Sequence, residues 1–289
     1  MRGQLTTWTY RGAARIAQLV PERLLPGLGR IAGRLGGWPQ RANREMSARH
    51  QRRVSGRADP AAVHGVFQWY GRYWLEILRL PADVRNGAVD PNFTIEGYEH
   101  VTEALAKGKG AILALPHLGG WEWAAAWMAK RGHHMLAVVE PLDPPELLEW
   151  FARQREAIGL EVVPMGPDVS RTVLRALRDN RIVCLLSDRD LTGDGVEVEF
   201  FGERTTLPAG PATLALRTGA SLLPVAVYFE DGRGHRGVVR PPLSAARHGS
   251  LRDDIGRITQ CLAQEFEALI RVAPEQWHLL QPNWPSDRE

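Results

Sequence analysis

Only two cysteines occur in 289 residues, Cys184 and Cys261, and no Cys-x-x-Cys spacing accompanies them. That scarcity excludes a disulfide scaffold and a zinc knuckle, and it points to a reducing compartment. Lysine is almost missing too: Lys107, Lys109 and Lys130 are the only three, so arginine carries the positive charge. No window of 18 residues is free of charge, which leaves no candidate for a membrane-crossing helix. The start, Met1-Arg-Gly-Gln-Leu-Thr-Thr-Trp8, lacks the basic tip, apolar block and small-residue cleavage site of a signal peptide. No serine stands in a Gly-x-Ser-x-Gly elbow, and neither an internal repeat nor a low-complexity tract is present. A cytoplasmic protein is expected, without excluding contact with the membrane.

What is there is unevenly distributed. The net charge of +3 divides into +10 over residues 1–57, with twelve arginines against Glu22 and Glu45, and −7 over the remainder. Among those arginines stand Leu5, Trp8, Ile16, Leu19, Val20, Leu24, Leu25, Leu28, Ile31, Leu35 and Trp38, mostly three or four apart as one face of a helix would place them. Pro21, Pro26, Pro39 and the glycines at 27, 29, 33, 36 and 37 are expected to break the segment into short helices. A basic, apolar-striped segment suits an anionic lipid surface, where each arginine near the headgroups contributes about 1 kcal/mol. The alternatives are a helical pair packed on the domain with solvated arginines, and nucleic acid as partner. Few aromatics and no nucleic-acid motif accompany the charge, which argues against the latter.

Past a loop at Gly56–Pro60, residues 61–80 read as one aromatic-rich helix stopped by Pro81, with Phe67, Tyr70, Trp74, Ile77 and Leu78 on one stripe. A helix over 98–107 follows, and then the pattern alternates. Strands are predicted at 110–115, 135–139, 160–163 and 181–187, and helices at 121–131, 144–157 and 168–178. Each strand is a short, nearly continuous apolar run bounded by turn residues, as buried parallel strands are. A hairpin around 196–206, a helix at 209–218, strands at 222–229 and 235–240 and a helix from about 251 to 271 complete the chain. The fold class is α/β, a central, mostly parallel sheet with helices on both faces. Residues 1–57 form a basic helical segment and 58–289 a single α/β domain.

In such sheets the active crevice lies outside the carboxyl ends of the strands, and His117 stands two residues past one of them. Gly119 and Gly120 follow, permitting a sharp turn and close approach of a substrate to the backbone; Glu122 falls in the first turn of the next helix. A histidine steadied by a carboxylate suits a general base taking a proton from a hydroxyl. Glu122 can fold back toward the imidazole, or can simply be a favourable charge at a helix N-terminus. Asp188, in Ser187-Asp-Arg-Asp190, emerges from another interior strand on the same rim. Three adjacent charges of alternating sign there suggest mutual compensation or a ligand.

His117-Leu-Gly-Gly-Trp-Glu122 has the His-x-x-x-x-Asp/Glu form of membrane-associated glycerolipid acyltransferases. With its surroundings it resembles the bacterial lipid A lauroyl/myristoyl-type acyltransferase family, and most closely the actinobacterial phosphatidylinositol mannoside acyltransferases. The likeness covers most of the chain and is weakest over residues 1–60. It is carried further by Tyr70-Gly-Arg-Tyr-Trp-Leu-Glu76, Ala137-Val-Val-Glu140, Arg155-Glu-Ala-Ile-Gly159, Asp188-Arg-Asp-Leu-Thr192, Val196-Glu-Val-Glu-Phe-Phe-Gly-Glu203, Pro208-Ala-Gly-Pro211, Thr218-Gly-Ala-Ser-Leu-Leu-Pro-Val225 and Trp277-His-Leu-Leu-Gln-Pro-Asn-Trp284.

The resemblance implies transfer of a long-chain acyl group from acyl-CoA, a co-substrate and not a cofactor, to a mannosylated phosphatidylinositol, at the 6-hydroxyl of the mannose on inositol position 2. It implies a peripheral protein on the cytoplasmic face of the cell membrane, with an anionic membrane surface as partner, no nucleic acid and no metal. His117 would be the base. The paired carboxylate falls on Asp188, where the family pattern is a glutamate, so the dyad is Asp188 with His117, Glu122 with His117, or both. Backbone amides of Gly119 and Gly120 or the Arg189 guanidinium are the candidates for stabilising the oxyanion. Arg155, with Arg153, either grips phosphates or orients Glu140. Trp277 and His278 either line the acceptor site or pack in the core, and Pro208-Ala-Gly-Pro211 offers amides to an anion or simply starts a helix. The aromatic helix 66–78, with Trp121, Trp123 and Trp127, would wall an acyl channel. His133 and His134 have no third ligand at a known spacing. The rival readings are a thioesterase using water, a related glycolipid or lipid A-type acyltransferase, and a non-enzymatic membrane-binding protein.

Overall fold

The computed structural model describes residues 2–57 and 59–288, with side chains from residue 7 onward. Its centre is a seven-stranded sheet of order β1-β9-β8-β2-β5-β3-β4. The strands are β1 (Phe93–Glu96), β2 (Ala111–Leu115), β3 (Met135–Val139), β4 (Leu160–Pro164), β5 (Ile182–Leu186), β8 (Ser221–Phe229) and β9 (His235–Val239). β8, β2, β5, β3 and β4 run parallel, while β9 pairs antiparallel with β8 and β1 parallel with β9. β6 (Val196–Phe200) and β7 (Glu203–Leu207) form the expected hairpin. β1, a four-residue edge strand, escaped the sequence reading because so short a run carries little periodic signal.

The apolar strands are buried on both sides, as their unbroken hydrophobic runs require. Ile112, Ala114, Leu136, Val183 and Leu185 point into one core. There they meet α8 (Val169–Arg178), α9 (Gly210–Thr218) and α10 (Leu251–Val272). Ala111, Leu113, Leu115, Ala137 and Cys184 point into the other. That core is closed by α4 (Pro60–Arg85), α5 (Tyr98–Ala106) and α6 (Trp121–Lys130). α7 (Pro145–Glu156) lies beyond β3.

Pro81 does not stop α4, which continues to Arg85. The prolyl nitrogen has no hydrogen to donate, but the turn is held from outside. Arg79 pairs with Asp83 at 2.9 Å, Arg233 pairs with Asp83 as well, and Leu80 is fully buried. Arg79 also donates to the carbonyls of Ala17, Gln18 and Val20, closing the C-terminal end of α1 (Arg2–Leu19).

Pro21 and Pro39 do fall between the helices of the basic segment, as expected, but its glycines do not fragment it. Gly27, Gly29, Gly33, Gly36 and Gly37 all lie inside α2 (Leu25–Gly37), and Pro26 sits in its first turn, where no hydrogen bond is lost. Gly29 and Gly33 meet Gly71 of α4 backbone to backbone. A Cβ on Gly33 would stand 2.0 Å from the Phe67 carbonyl oxygen, and one on Gly71 would stand 2.3 Å from that of Gly29. With its glycine face turned to the protein, α2 turns Leu28, Ile31 and Leu35 to the outside, and Leu35 is 69% exposed. Trp8, Ile16 and Leu19 of α1 and Trp38 are exposed as well. α3 (Arg41–Ser55) follows and ends on Gly56 in a left-handed cap. Among the described residues no helix is long and apolar enough to cross a membrane.

Candidate active site

β2 and β5 are neighbours in parallel register, Leu115 opposite Leu186, and the Ser187 amide bonds to the Leu115 carbonyl at 2.9 Å. Two residues beyond each strand end, His117 and Asp188 therefore emerge side by side. His117 Nδ1 lies 2.6 Å from Asp188 Oδ1, and the His117 amide donates to Oδ2 at 3.0 Å. The shorter aspartate reaches the imidazole because the register has already brought the two backbones together. Asp188 is fully buried, whereas the His117 side chain is 39% exposed.

Burial opposes charge on both members, and their mutual attraction outweighs it. Desolvation presses the Asp188 pKa up, but the charge and hydrogen bond of His117 and the Trp277 indole hold it below the usual carboxylate value. For His117, desolvation works against the imidazolium, yet the charge and hydrogen bond of Asp188 leave its pKa raised above 6.5. An ionised carboxylate can only accept, so the neutral ring carries its proton on Nδ1 and donates it to Asp188, which leaves Nε2 as the basic nitrogen.

Glu122 does not fold back to the imidazole. It is buried, and its Oε1 accepts from the Tyr73 hydroxyl at 3.0 Å and from Arg155 Nη2 at 3.2 Å. Desolvation raises its pKa, with the Arg155 charge working the other way. Arg155 thus pairs with Glu122 and not with Glu140, and it lies near the faces of Trp121 and Phe151, about 5.7 and 5.8 Å from the ring centroids. Arg153 makes an exposed pair with Glu149. Glu140 faces Arg189 across 3.9 Å.

The three adjacent charges do not compensate one another. Asp188 serves His117, Arg189 faces Glu140, and Asp190 orders the following loop by accepting from the amides of Thr192, Gly193 and Gly195 and from the Thr206 hydroxyl.

Gly119 lies on the wall of the cavity beside His117, and packing alone already demands a glycine there. Its φ is +61°, and a Cβ there would stand 1.7 Å from the Val227 carbonyl oxygen. Its N–H is spent on the Gln276 carbonyl at 3.0 Å, which removes it as an oxyanion donor. Gly120 is buried against Phe229 and His235.

A cavity of about 420 Å³ opens at the carboxyl ends of β2, β3 and β5, with His117, Glu140, Arg155, Arg189 and His278 among its polar lining. Such a volume lies within the ~300–1,000 Å³ of small-molecule sites. Its wall is apolar: Tyr70, Tyr73, Trp74 and Ile77 of α4, with Trp121, Leu148 and Phe151. Trp123 and Trp127, expected in that wall, are elsewhere. Trp123 stacks on His235 at 4.2 Å, and Trp127 packs against Phe93 and Tyr98. Phe67 packs with Val63, Val66 and Leu280 instead. Pro208, Gly210 and Pro211 close another side of the cavity at the start of α9. His133 bonds to the Tyr98 hydroxyl, and among the described residues no three His, Cys, Asp or Glu side chains converge as a metal site would need.

Trp277 and His278 part company. Trp277 is buried and its indole donates to Asp188 Oδ2 at 2.7 Å, while His278 lines the cavity between Tyr70 and Tyr73. The Asn283 side chain adds a bond to the Asp188 carbonyl at 2.9 Å. Neither support for Asp188 was legible in the sequence, since about ninety residues separate the partners.

An imidazole held by a buried carboxylate at the mouth of a largely apolar cavity, on the carboxyl edge of a parallel sheet, is an arrangement that can accept a proton from a hydroxyl. The sequence profile of the family described as bacterial lipid A biosynthesis acyltransferase matches residues 2–286, and the chain belongs to that family. It is 40% identical to a phosphatidylinositol mannoside acyltransferase of Mycolicibacterium smegmatis, over 99% of this chain and 93% of that protein. The same-named protein of Mycobacterium tuberculosis (strain ATCC 25618 / H37Rv) is 40% identical over 98% of this chain and 89% of its own. A lipid A biosynthesis acyltransferase of Haemophilus influenzae is 28% identical over 63% of this chain and 55% of its own.

Proposed function

We propose that this acyltransferase moves a long-chain fatty acyl group, such as palmitoyl, from acyl-CoA to the 6-hydroxyl of the mannose on inositol position 2 of a phosphatidylinositol mannoside. The observation that carries the reading is the His117 ring, fixed by buried Asp188 at the mouth of an apolar cavity, in a chain 40% identical to phosphatidylinositol mannoside acyltransferases. His117 Nε2 takes the proton of the sugar hydroxyl as its oxygen attacks the thioester carbonyl. The carbon–sulfur bond then breaks, coenzyme A leaves as the thiolate, and the imidazolium returns the proton to it. No acyl-enzyme is formed. Arg189, on the cavity wall, is the cation for the developing oxyanion. Arg155, held by Glu122 and Tyr73, and Glu140 orient the polar part of a substrate, with His278 beside them. The acyl chain lies along Tyr70, Trp74, Ile77 and Phe151. Acyl-CoA is a co-substrate, and no separate cofactor is invoked.

The exposed face of α1 and α2 supports peripheral attachment at the cytoplasmic leaflet. Leu28, Ile31, Leu35 and Trp38 would dip among the acyl chains, and the exposed Arg15, Arg23, Arg30 and Arg34 would meet anionic headgroups.

The test is incubation of the protein with labelled palmitoyl-CoA and purified mannosylated phosphatidylinositol, followed by fragmentation of the product in a mass spectrometer. The expected product is one new ester on that mannose. Labelled free fatty acid alone would identify a thioesterase instead.

A further inference from the structure

Asp188 is held from two sides. The ring and amide of His117 approach from the turn after β2, and the indole of Trp277 approaches from the C-terminal tail, 2.7 Å from Oδ2. The tail is fastened to the same turn. Trp277 bridges Leu118, the His278 amide donates to the His117 carbonyl at 2.8 Å, and the Gly119 amide donates to Gln276. Behind the indole, α3 supplies a backing: the His50 ring lies 5.4 Å from that of Trp277 and bonds to Asp287, which also pairs with Arg53 at 2.8 Å. Asn283, in the same tail, holds the Asp188 carbonyl. The Trp277, His50, Arg53, Asn283 and Asp287 side chains stand outside the cavity lining, and the acid–base chemistry itself gives the indole no part.

An indole N–H donates and cannot accept. A buried carboxylate with such a donor on one oxygen is held ionised, and its other oxygen is left to the imidazole. We propose that Trp277 is a positioning residue of this site: its N–H fixes which way the Asp188 carboxylate faces, and through it how strongly the His117 ring holds a proton. This rests on reading His117 and Asp188 as the base and its acid.

Loss of the indole bond concentrates the carboxylate charge on His117, which favours the imidazolium. The charged and titratable groups facing the ring are Asp188 and Arg189 from the end of β5, Glu140 from the end of β3 and His278 from the tail. His278 stays neutral, because burial pushes its pKa down to about 3, aided by charge on His117. Asp188 is therefore the group through which a change at Trp277 reaches the ring.

Trp277→Phe is the direct test, and Trp284→Phe is its control. Trp284 is as deeply buried, its ring centroid lies 6.3 Å from that of Trp277, and its indole donates to the Phe200 carbonyl at 3.1 Å without touching Asp188. The His117 titration is read by NMR of the labelled ring, and independently as the acidic limb of kcat/KM against pH. In Trp277→Phe it should move up by about half a pH unit or more, and in Trp284→Phe it should stay at the wild-type position. Equal behaviour of the two variants, both shifted or both unshifted, overturns the proposal. Should Trp277→Phe not fold, the wild-type protein still decides: the Trp277 indole proton must follow the His117 titration and that of Trp284 must not, and an indole resonance indifferent to His117 is the contrary result. The NMR readout needs no turnover. A His117→Ala protein with full transferase activity would therefore sink the catalytic reading while leaving this coupling to be judged by the titration.

Discussion

A 2.6 Å contact between His117 Nδ1 and Asp188 Oδ1 decides which ring nitrogen is free to act as base. A base works only when unprotonated, and Asp188 raises the His117 pKa above 6.5 against the pull of burial. Activity is therefore expected to fall as pH drops through a value above 6.5, and a kcat/KM profile with its acidic limb below that would disagree. Asp188→Asn removes the charge while keeping the shape. It should lower kcat/KM by about 10²–10⁴-fold and move the limb toward lower pH, because desolvation then acts on the imidazole unopposed. Glu122→Gln should leave the limb in place, since Glu122 bonds to Tyr73 and Arg155 and not to the imidazole. The sequence named both carboxylates and could not choose between them. A five-residue spacing does not say which way a first-turn glutamate points, whereas the equal two-residue overhang of His117 beyond Leu115 and Asp188 beyond Leu186 becomes decisive once β2 and β5 are known to pair.

At the scale of elements, the strands were legible because an unbroken apolar run of five residues has few stable alternatives to an interior position in a parallel sheet. Pro21 and Pro39 mark helix boundaries as expected, whereas Pro81 and the glycines of α2 misled for one shared reason: their local cost is fixed, and what offsets it is supplied by distant partners. Pro81 is tolerated within the Arg79–Asp83–Arg233 network, and Gly29, Gly33 and Gly37 of α2 make the seam with α4 possible. The seam makes a clean comparison. Gly33→Ala places a methyl 2.0 Å from the Phe67 carbonyl and should destabilise the fold by about 1–3 kcal/mol in denaturant unfolding. Gly36→Ala, with nothing within 4 Å of its new methyl, should be neutral or stabilise by about 0.5–1 kcal/mol. Equal effects of the two would argue against backbone contact between α2 and α4.

Over the whole molecule, charge and apolar exposure are gathered on the same helices. Residues 1–57 hold a balance of +10 against −7 elsewhere, and α2 keeps Gly29, Gly33 and Gly37 inside and Leu28, Ile31 and Leu35 outside. Replacing Leu28, Ile31 and Leu35 together by serine should leave thermal stability nearly unchanged, because these side chains are already exposed. The same replacement should weaken binding to vesicles containing phosphatidylinositol by tenfold or more, an order-of-magnitude expectation from the lost apolar burial. Salt should weaken the wild-type protein's binding as well, through screening of the arginines. The charge asymmetry was plain in the sequence; the direction in which the apolar stripe faces was not, because only the glycine seam determines it. The most direct measurement is acyl transfer from labelled palmitoyl-CoA to purified mannosylated phosphatidylinositol by the wild-type protein and by His117→Ala. The wild type should form the acylated glycolipid and the variant should form almost none; undiminished transfer without the imidazole would contradict the role of His117 as base.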